Sequence, residues 1–293
     1  MKVLAPILLF IFASVFNVLT LAEDINKNET TFITDKKELL KDDHRLLKTS
    51  DDSHLDAIGR IQVIFKDYRY KKCSSTLIAL RPGESSDIVQ TVKHCFDNEK
   101  SSLLLVKWES TLASGKIIKR TATVLQSALH SDLLLLKLDR PISFKKIRPI
   151  LIPPESFEAR EILSDFTSES IVAGYSSDRL KGQKGSILTY TRNERAPFTL
   201  KTFLDSHYLE SVTYKGASGG AFIVKADLSK RDKTVKNPYS QYYYLGTIKG
   251  GISLNLSEDR RIFFNSMGSL GSDKTRIIPL GQASIEFPYH DLF

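Results

Sequence analysis

A chain of 293 residues, 41% hydrophobic and 26% charged, holds enough apolar material for one large or two medium domains, which excludes a disordered protein. Its formal net charge of +8 raises the question of nucleic acid, but no basic cluster interleaved with aromatic residues occurs, so no nucleic-acid partner is expected. Two cysteines and scattered histidines make no ligand spacing, so neither a metal nor any other cofactor is expected.

Residues 1–22, MKVLAPILLFIFASVFNVLTLA, carry one Lys and then an apolar run, with Thr20 and Ala22 placed as the small residues of a signal-peptidase site. A signal peptide predicts a secreted or periplasmic protein. The alternative is a retained membrane anchor, since the run approaches the ~20 residues that a spanning helix needs, and membrane contact is expected only in that case.

Residues 23–57 are polar, with ten acidic residues against six basic ones and Phe32 as the sole aromatic, so no core is expected within them. An acidic leader thus precedes a basic body. Two readings stand open: a prosegment that docks electrostatically, or a solvated linker.

From Ile58 onward the pattern is a succession of short apolar or alternating runs, among them IQVIF, STLIAL, LLLVKW, DLLLLKL, SESIVAGY, AFIVKA and YYYLGTIKGG, separated by polar or glycine-bearing turns. No long helical period intervenes, so the fold class is all-β. About thirteen strands exceed one small sandwich and fit two barrels or a double sandwich. The Pro-rich link IRPILIPPESFEAREIL divides the body into units over 58–155 and 156–293.

Cys73 and Cys95 both lie in the first unit. In an exported chain such a pair is most simply a disulfide, worth roughly 3 kcal/mol in the chain-entropy account; a catalytic thiol is the other reading. His94 directly precedes Cys95 at the end of IVQTVKHC, where a disulfide would pin it. Asp132 enters the apolar strand of SDLLLLKL, a costly place for a carboxylate unless it is partnered, and an imidazole N–H is a suitable partner. Ser218 stands in YKGASGGAFIV, where glycines leave its hydroxyl uncovered and where the N–H groups of Gly216 and Ser218 can form a two-donor oxyanion site. Taken singly, each has a plainer reading: a surface histidine, a strand-initiating aspartate, a Gly/Ser turn.

Together, His94, Asp132 and Ser218 occur in the order and spacing of the trypsin-like serine peptidases, and residues 58–290 resemble that family. CSSTLI with TVKHC is similar to its disulfide-linked strand and histidine segment, SDLLLLKL to its aspartate segment, GASGGA to its nucleophile segment, and LGTIKGG to the strand that receives the substrate backbone. The resemblance implies two six-stranded antiparallel β-barrels with the active site in the cleft between them. It also implies a serine endopeptidase acting on protein or peptide substrates through an acyl-enzyme. By the same resemblance Val212, Thr213, Lys249, Gly250 and Gly251 bind substrate.

Three departures carry consequences. Ala217 occupies the place of an aspartate that, in many members, pairs with a newly freed N-terminus, so the oxyanion site is expected to form without one, the leader at most masking the cleft. Lys249 stands where a small serine is usual. Val212 stands where trypsin-type enzymes select Lys and Arg, which favours an apolar primary pocket. GASGGA and GTIKGG look more like bacterial-type members, although Ile248 replaces the histidine that reads glutamate in the glutamyl endopeptidases. Two alternatives come from other classes: an α/β-hydrolase-type esterase using Ser218 with Asp273 and His290, or a catalytically silent member acting as a binding protein.

Overall fold

The computed structural model describes residues 43–98, 101–128, 131–157, 161–179, 181–194, 201–203, 206–210, 213–230, 241–250, 255–256, 262–263 and 274–279. Its strands, in chain order, are β1 (Leu46–Leu47), β2 (Ile58–Phe65), β3 (Tyr70–Ala79), β4 (Ser86–Val92), β5 (Leu103–Thr111), β6 (Ile117–Ser127), β7 (Leu133–Ile142) and β8 (Ile150–Leu151). They continue with β9 (Thr167–Gly174), β10 (Thr189–Glu194), β11 (Lys201–Phe203), β12 (Ser206–Glu210), β13 (Ala221–Ala226), β14 (Gln241–Gly250), β15 (Asn255–Leu256), β16 (Ile262–Phe263) and β17 (Lys274–Pro279).

The first barrel closes on itself. Antiparallel pairings run from β2 to β3, β3 to β4, β4 to β7, β7 to β6, β6 to β5 and β5 back to β2, six strands with no open edge. The period-2 pattern of β2 explains which way it faces: Ile61, Val63 and Phe65 are buried while Arg60, Gln62 and Ile64 between them are not. On β5, Val106 and Trp108 point inward beside them, and Leu133, Leu135 and Leu136 of β7 are fully buried. Gly59 on β2 makes room for the Trp108 indole, because a Cβ there would lie 2.6 Å from indole Nε1 and 2.9 Å from the Glu109 carbonyl oxygen.

In the second half, β10, β9, β13, β14, β17 and β12 form a continuous antiparallel run, with β11 paired to β12. The expected all-β, two-barrel architecture is therefore the observed one. The esterase alternative is overturned, since an α/β-hydrolase requires a parallel sheet covered by helices, and Asp273 and His290 lie outside the described residues. The short strand β8, inside the proline-rich link, pairs in parallel with β3 of the first barrel at Ile78–Ile150 and with β14 of the second at Tyr243–Leu151.

Residues 43–57, the end of the acidic segment, are built into both barrels. β1 adds to the edge of β10 through Leu46–Tyr190 and Leu47–Thr189. Leu55 and Ala57 are fully buried in the main core. Asp56 reaches the first barrel, its carboxylate taking the Lys48 ammonium at 2.6 Å and the Ala113 N–H at 2.8 Å. His54 stacks on Tyr242 of β14 with ring centroids 4.6 Å apart, and Asp52 accepts from the Tyr190 hydroxyl at 3.1 Å.

Two outcomes follow from this packing. Gly59→Ala is expected to cost about 1–3 kcal/mol in denaturant melts, because the indole and a backbone oxygen must both give way; a loss below about half a kcal/mol would contradict it. Burial first, and then the field of Arg192, push the His54 imidazole down from 6.5 to about 4. Between those values the unfolded chain binds the extra proton, so this contribution to stability is complete above pH 6.5 and is lost as pH falls toward 4. The melting temperature of His54→Gln should accordingly fall less steeply over that window than that of the unaltered protein.

Candidate active site

The segment after β4 makes a single tight turn, Lys93–Cys95, that carries His94. Asp132, just before β7, grips it with both carboxylate oxygens: Oδ1 accepts the His94 backbone N–H at 3.0 Å and Oδ2 lies 2.7 Å from ring Nδ1. With Nδ1 as the donor, Nε2 is left as an acceptor on the far side of the ring. The Asp132 side chain is 13% exposed against 30% for His94, so the pair has a shielded inner end and an open outer one. The Lys93 N–H donates to the Asp132 carbonyl at 2.9 Å, and the Lys71 ammonium donates to the His94 carbonyl at 2.9 Å. Cys73 and Cys95 form the expected disulfide, which fastens the turn to β3.

Ser218 lies in the turn before β13, whose chain path depends on two glycines with left-handed backbones, Gly216 at φ +98° and Gly219 at φ +85°. A Cβ on Gly219 would lie 2.1 Å from the Ser74 carbonyl oxygen and 2.3 Å from Thr91 Oγ1, so β3 and β4 press directly on this turn. Ser74, the residue after Cys73, ties the two together. Its N–H donates to the Ser218 carbonyl at 2.7 Å, its hydroxyl donates to the Gly216 carbonyl at 2.8 Å, and the same hydroxyl accepts the Tyr175 N–H at 2.8 Å. A short covalent and hydrogen-bonded path thus connects Ser218 through Ser74, Cys73 and Cys95 to His94. Among the described residues the Ser218 hydroxyl makes no hydrogen bond, to His94 or to any other group.

The orientation of the two N–H groups expected as oxyanion donors follows from peptide planarity, because in a trans peptide the C=O and the N–H point in opposite directions. The Lys215 carbonyl accepts from Ser177 twice, from N–H at 2.6 Å and from Oγ at 2.5 Å, so the Gly216 N–H of the same peptide is turned outward. The Ala217 carbonyl accepts the Gly220 N–H at 2.8 Å, which turns the Ser218 N–H outward as well. Neither N–H has a protein acceptor among the described residues. Two carbonyls are anchored and two donors are left open.

Ala217 is buried at 1% and lies 3.0 Å from a Cβ built on Gly174, in an apolar cluster with Val172, Phe222 and Ile248. Ionic support for this turn comes from elsewhere. Arg45, with its side chain 1% exposed, pairs with Asp43 at 2.7 Å and Asp178 at 2.8 Å, and its guanidinium carbon stands 4.4 Å above the Tyr214 ring. Burial works against its charge, but the hydrogen bonds to Asp43 and Asp178 outweigh burial and hold it protonated. The described end of the leader therefore buttresses the turn from below, and none of its hydrogen bonds or ion pairs reaches His94, Asp132 or Ser218. The reading of the leader as at most a mask over the cleft left out Arg45 and Asp178, and it left out Ser74 too. The one signal for Ser74 was a hydroxyl run, CSST, inside a strand with little room for unpaired polar groups.

Of the five residues expected to bind substrate, Val212 and Gly251 lie outside the described residues. Thr213 is buried, Lys249 is half-buried near the end of β14, and Gly250 closes that strand. Ile248 is fully buried, its N–H donating to the Gly220 carbonyl at 2.9 Å and its own carbonyl accepting the Gly219 N–H at 2.7 Å. Its side chain therefore belongs to the core and not to a pocket wall.

Two antiparallel barrels joined at a seam of this kind define the chymotrypsin fold. Among solved structures the chain is similar to HL collagenase, with a TM-score of 0.52 and 13% identity over 86% of this chain and 98% of that one. It is likewise similar to the thermostable serine protease AL20 from an extremophilic microorganism, with a TM-score of 0.51 and 13% identity over 81% and 98%. At this identity the likeness is one of fold. No protein-family model and no curated protein sequence matches the chain.

The disulfide ties the His94 turn to one strand of the first barrel alone, so its reduction should act locally. Hydrogen exchange after reduction and alkylation is expected to rise at residues 93–97 while β9, β13 and β14 keep their protection. Equal deprotection of both barrels would refute that local role.

Proposed function

We propose that the chain is a secreted serine endopeptidase, with residues 1–22 as its signal peptide, acting on protein or peptide substrates. The observation that carries this reading is the double grip of Asp132 on His94 together with the two open N–H groups flanking Ala217. In the proposed reaction His94 Nε2 takes the proton from Ser218 Oγ as the oxygen attacks the scissile carbonyl. Asp132 holds the imidazole in the required tautomer and stabilises its charged form, while Gly216 N–H and Ser218 N–H receive the developing oxyanion. The imidazolium then protonates the leaving amine, and a water molecule repeats the sequence on the acyl-enzyme.

By the family resemblance Val212 and Thr213 would form the base of the primary pocket and Gly251 its open entrance, which favours an apolar side chain over Lys or Arg, whose charge would meet no carboxylate there. Domain limits near 58–155 and 156–293 complete the proposal. The first 57 residues would comprise the signal peptide and a leader retained at least from Asp43.

A fluorophosphonate should label Ser218, and Ser218→Ala and His94→Ala should each lower peptide hydrolysis by several orders of magnitude, with the double change costing little more. A peptide-library digest read by mass spectrometry is expected to show cuts after apolar residues. Absence of labelling in folded protein would favour a catalytically silent binding protein, and cuts dominated by Lys or Arg would refute the pocket assignment.

A further inference from the structure

Resting on that reading, we infer that Arg45 is a positioning residue for the oxyanion site, so that the end of the acidic leader is a permanent working part of the enzyme. The argument starts from the Lys215–Gly216 peptide. The direction of the Gly216 N–H is set by whatever holds the Lys215 carbonyl, and both donors to that carbonyl belong to Ser177. Gly216, at φ +98°, has no side chain of its own to resist rotation. Restraint must come from the residues on either side of this contact.

Arg45 holds both sides. One arm of the guanidinium, Nη1, donates to Asp178 Oδ2 at 2.8 Å, and Asp178 directly follows Ser177. The planar face lies over the ring of Tyr214, which directly precedes Lys215. Nε and Nη2 bind Asp43 at 2.9 and 2.7 Å, so each nitrogen of the fork is engaged. Asp178 is braced in turn by the Gly182 N–H at 3.1 Å, and the Lys181 ammonium donates to the carbonyls of Asp43 and Arg45 at 2.5 and 2.7 Å. A planar cation with a fixed fork can stack and pair at once, which an ammonium cannot do. Arg45 thus clamps Tyr214 and Asp178 around the contact that aims one oxyanion donor. The apolar packing of Ala217 supplies no charge there, and the guanidinium arrives from 172 residues earlier in the chain.

The clamp also fixes the fate of the peptide bond after Arg45. With the side chain buried and the carbonyls of Asp43 and Arg45 held by Lys181, a protease that cuts after arginine finds no access in the folded state. A cut made there before folding would separate the guanidinium-bearing segment from β1.

The test uses the full chain with Arg45→Met and Arg45→Lys, each checked for native β content by circular dichroism. Activity is referred to the concentration of folded protein. Loss of an oxyanion donor costs on the order of a hundredfold in kcat, so Arg45→Met is expected to lower kcat and the fluorophosphonate acylation rate by at least about tenfold, with KM within about twofold. Binding of a peptide boronate, which places an anionic oxygen in the site, should weaken by the same factor, while a non-covalent product peptide should bind unchanged. Arg45→Lys should show the same pattern, and it carries the test if the Met variant does not fold. Wild-type kcat per folded molecule in either variant would overturn the inference and leave the peptidase reading intact. Parallel losses in boronate and product-peptide binding would also overturn it, since they mark a general structural role. An unaltered chain that neither labels nor cleaves would sink the peptidase reading itself, and this inference with it.

Discussion

Ser74 is the constraint on which the seam of the molecule depends. One buried residue of the first barrel spends its N–H on Ser218 and its hydroxyl on Gly216 and Tyr175, three contacts with the second. Each contact satisfies a backbone group that would otherwise lie buried without a partner, at a cost of about 1–3 kcal/mol apiece. The chain after Tyr214 can therefore hold left-handed glycines and open N–H groups only while the first barrel is in place beside it. Gln90 of β4, whose amide donates to the Thr247 hydroxyl at 3.0 Å, repeats the arrangement one strand away. The seam thus adds directional polar contacts to the apolar cluster that runs through both barrels.

The strand class and the candidate residues beside the strands were legible in the sequence, and the reason is local. His94 ends an apolar run and Asp132 and Ser218 each precede one, places where a polar residue calls for an explanation, and Cys95 marks the histidine further. The alternating pattern of IGRIQVIF and the continuous run of LLLL gave the strand class for the same reason. The role of Arg45 was not legible. In a segment with ten acidic and six basic residues one arginine carries no distinguishing mark, and its partner Asp178 lies 133 positions away. Composition left the leader open between a docked prosegment and a solvated linker, because counting charge shows no partners, whereas the fold buries Asp43, Arg45, Asp52 and Asp56 by pairing them. The pocket reading through Val212 and Gly251 rests on sequence alone.

Burying that much charge has a thermodynamic logic. Breaking a buried pair by removing one member costs about 3–5 kcal/mol, because the other is stranded in a poorly polarisable interior. The cluster of Asp43, Arg45, Asp178 and Lys181 is thus an all-or-none unit: complete, it specifies one docking geometry for residues 43–48, and incomplete, it opposes docking. The second cluster, with Asp52, His54, Glu169, Arg192 and Tyr242, works alike at the other end of the segment, where Arg192 pairs with Glu169 at 2.9 Å and the Tyr242 hydroxyl donates to the same carboxylate at 3.2 Å. Leu55 and Ala57 then carry the chain into the apolar core. The segment reads as two polar locks followed by a hydrophobic bolt.

The strand β8 has a mechanical meaning beyond its two residues. Because Ile150 and Leu151 are clasped on one side by β3 and on the other by β14, the two barrels share a single backbone ladder across the seam. Opening them like a hinge would shear hydrogen bonds end to end, a stiff mode compared with the sliding of side chains. At this point β3 and β14 lie two strand spacings apart, each about 4.8 Å and fixed by the backbone itself. Any tilt of one barrel against the other must first break that ladder.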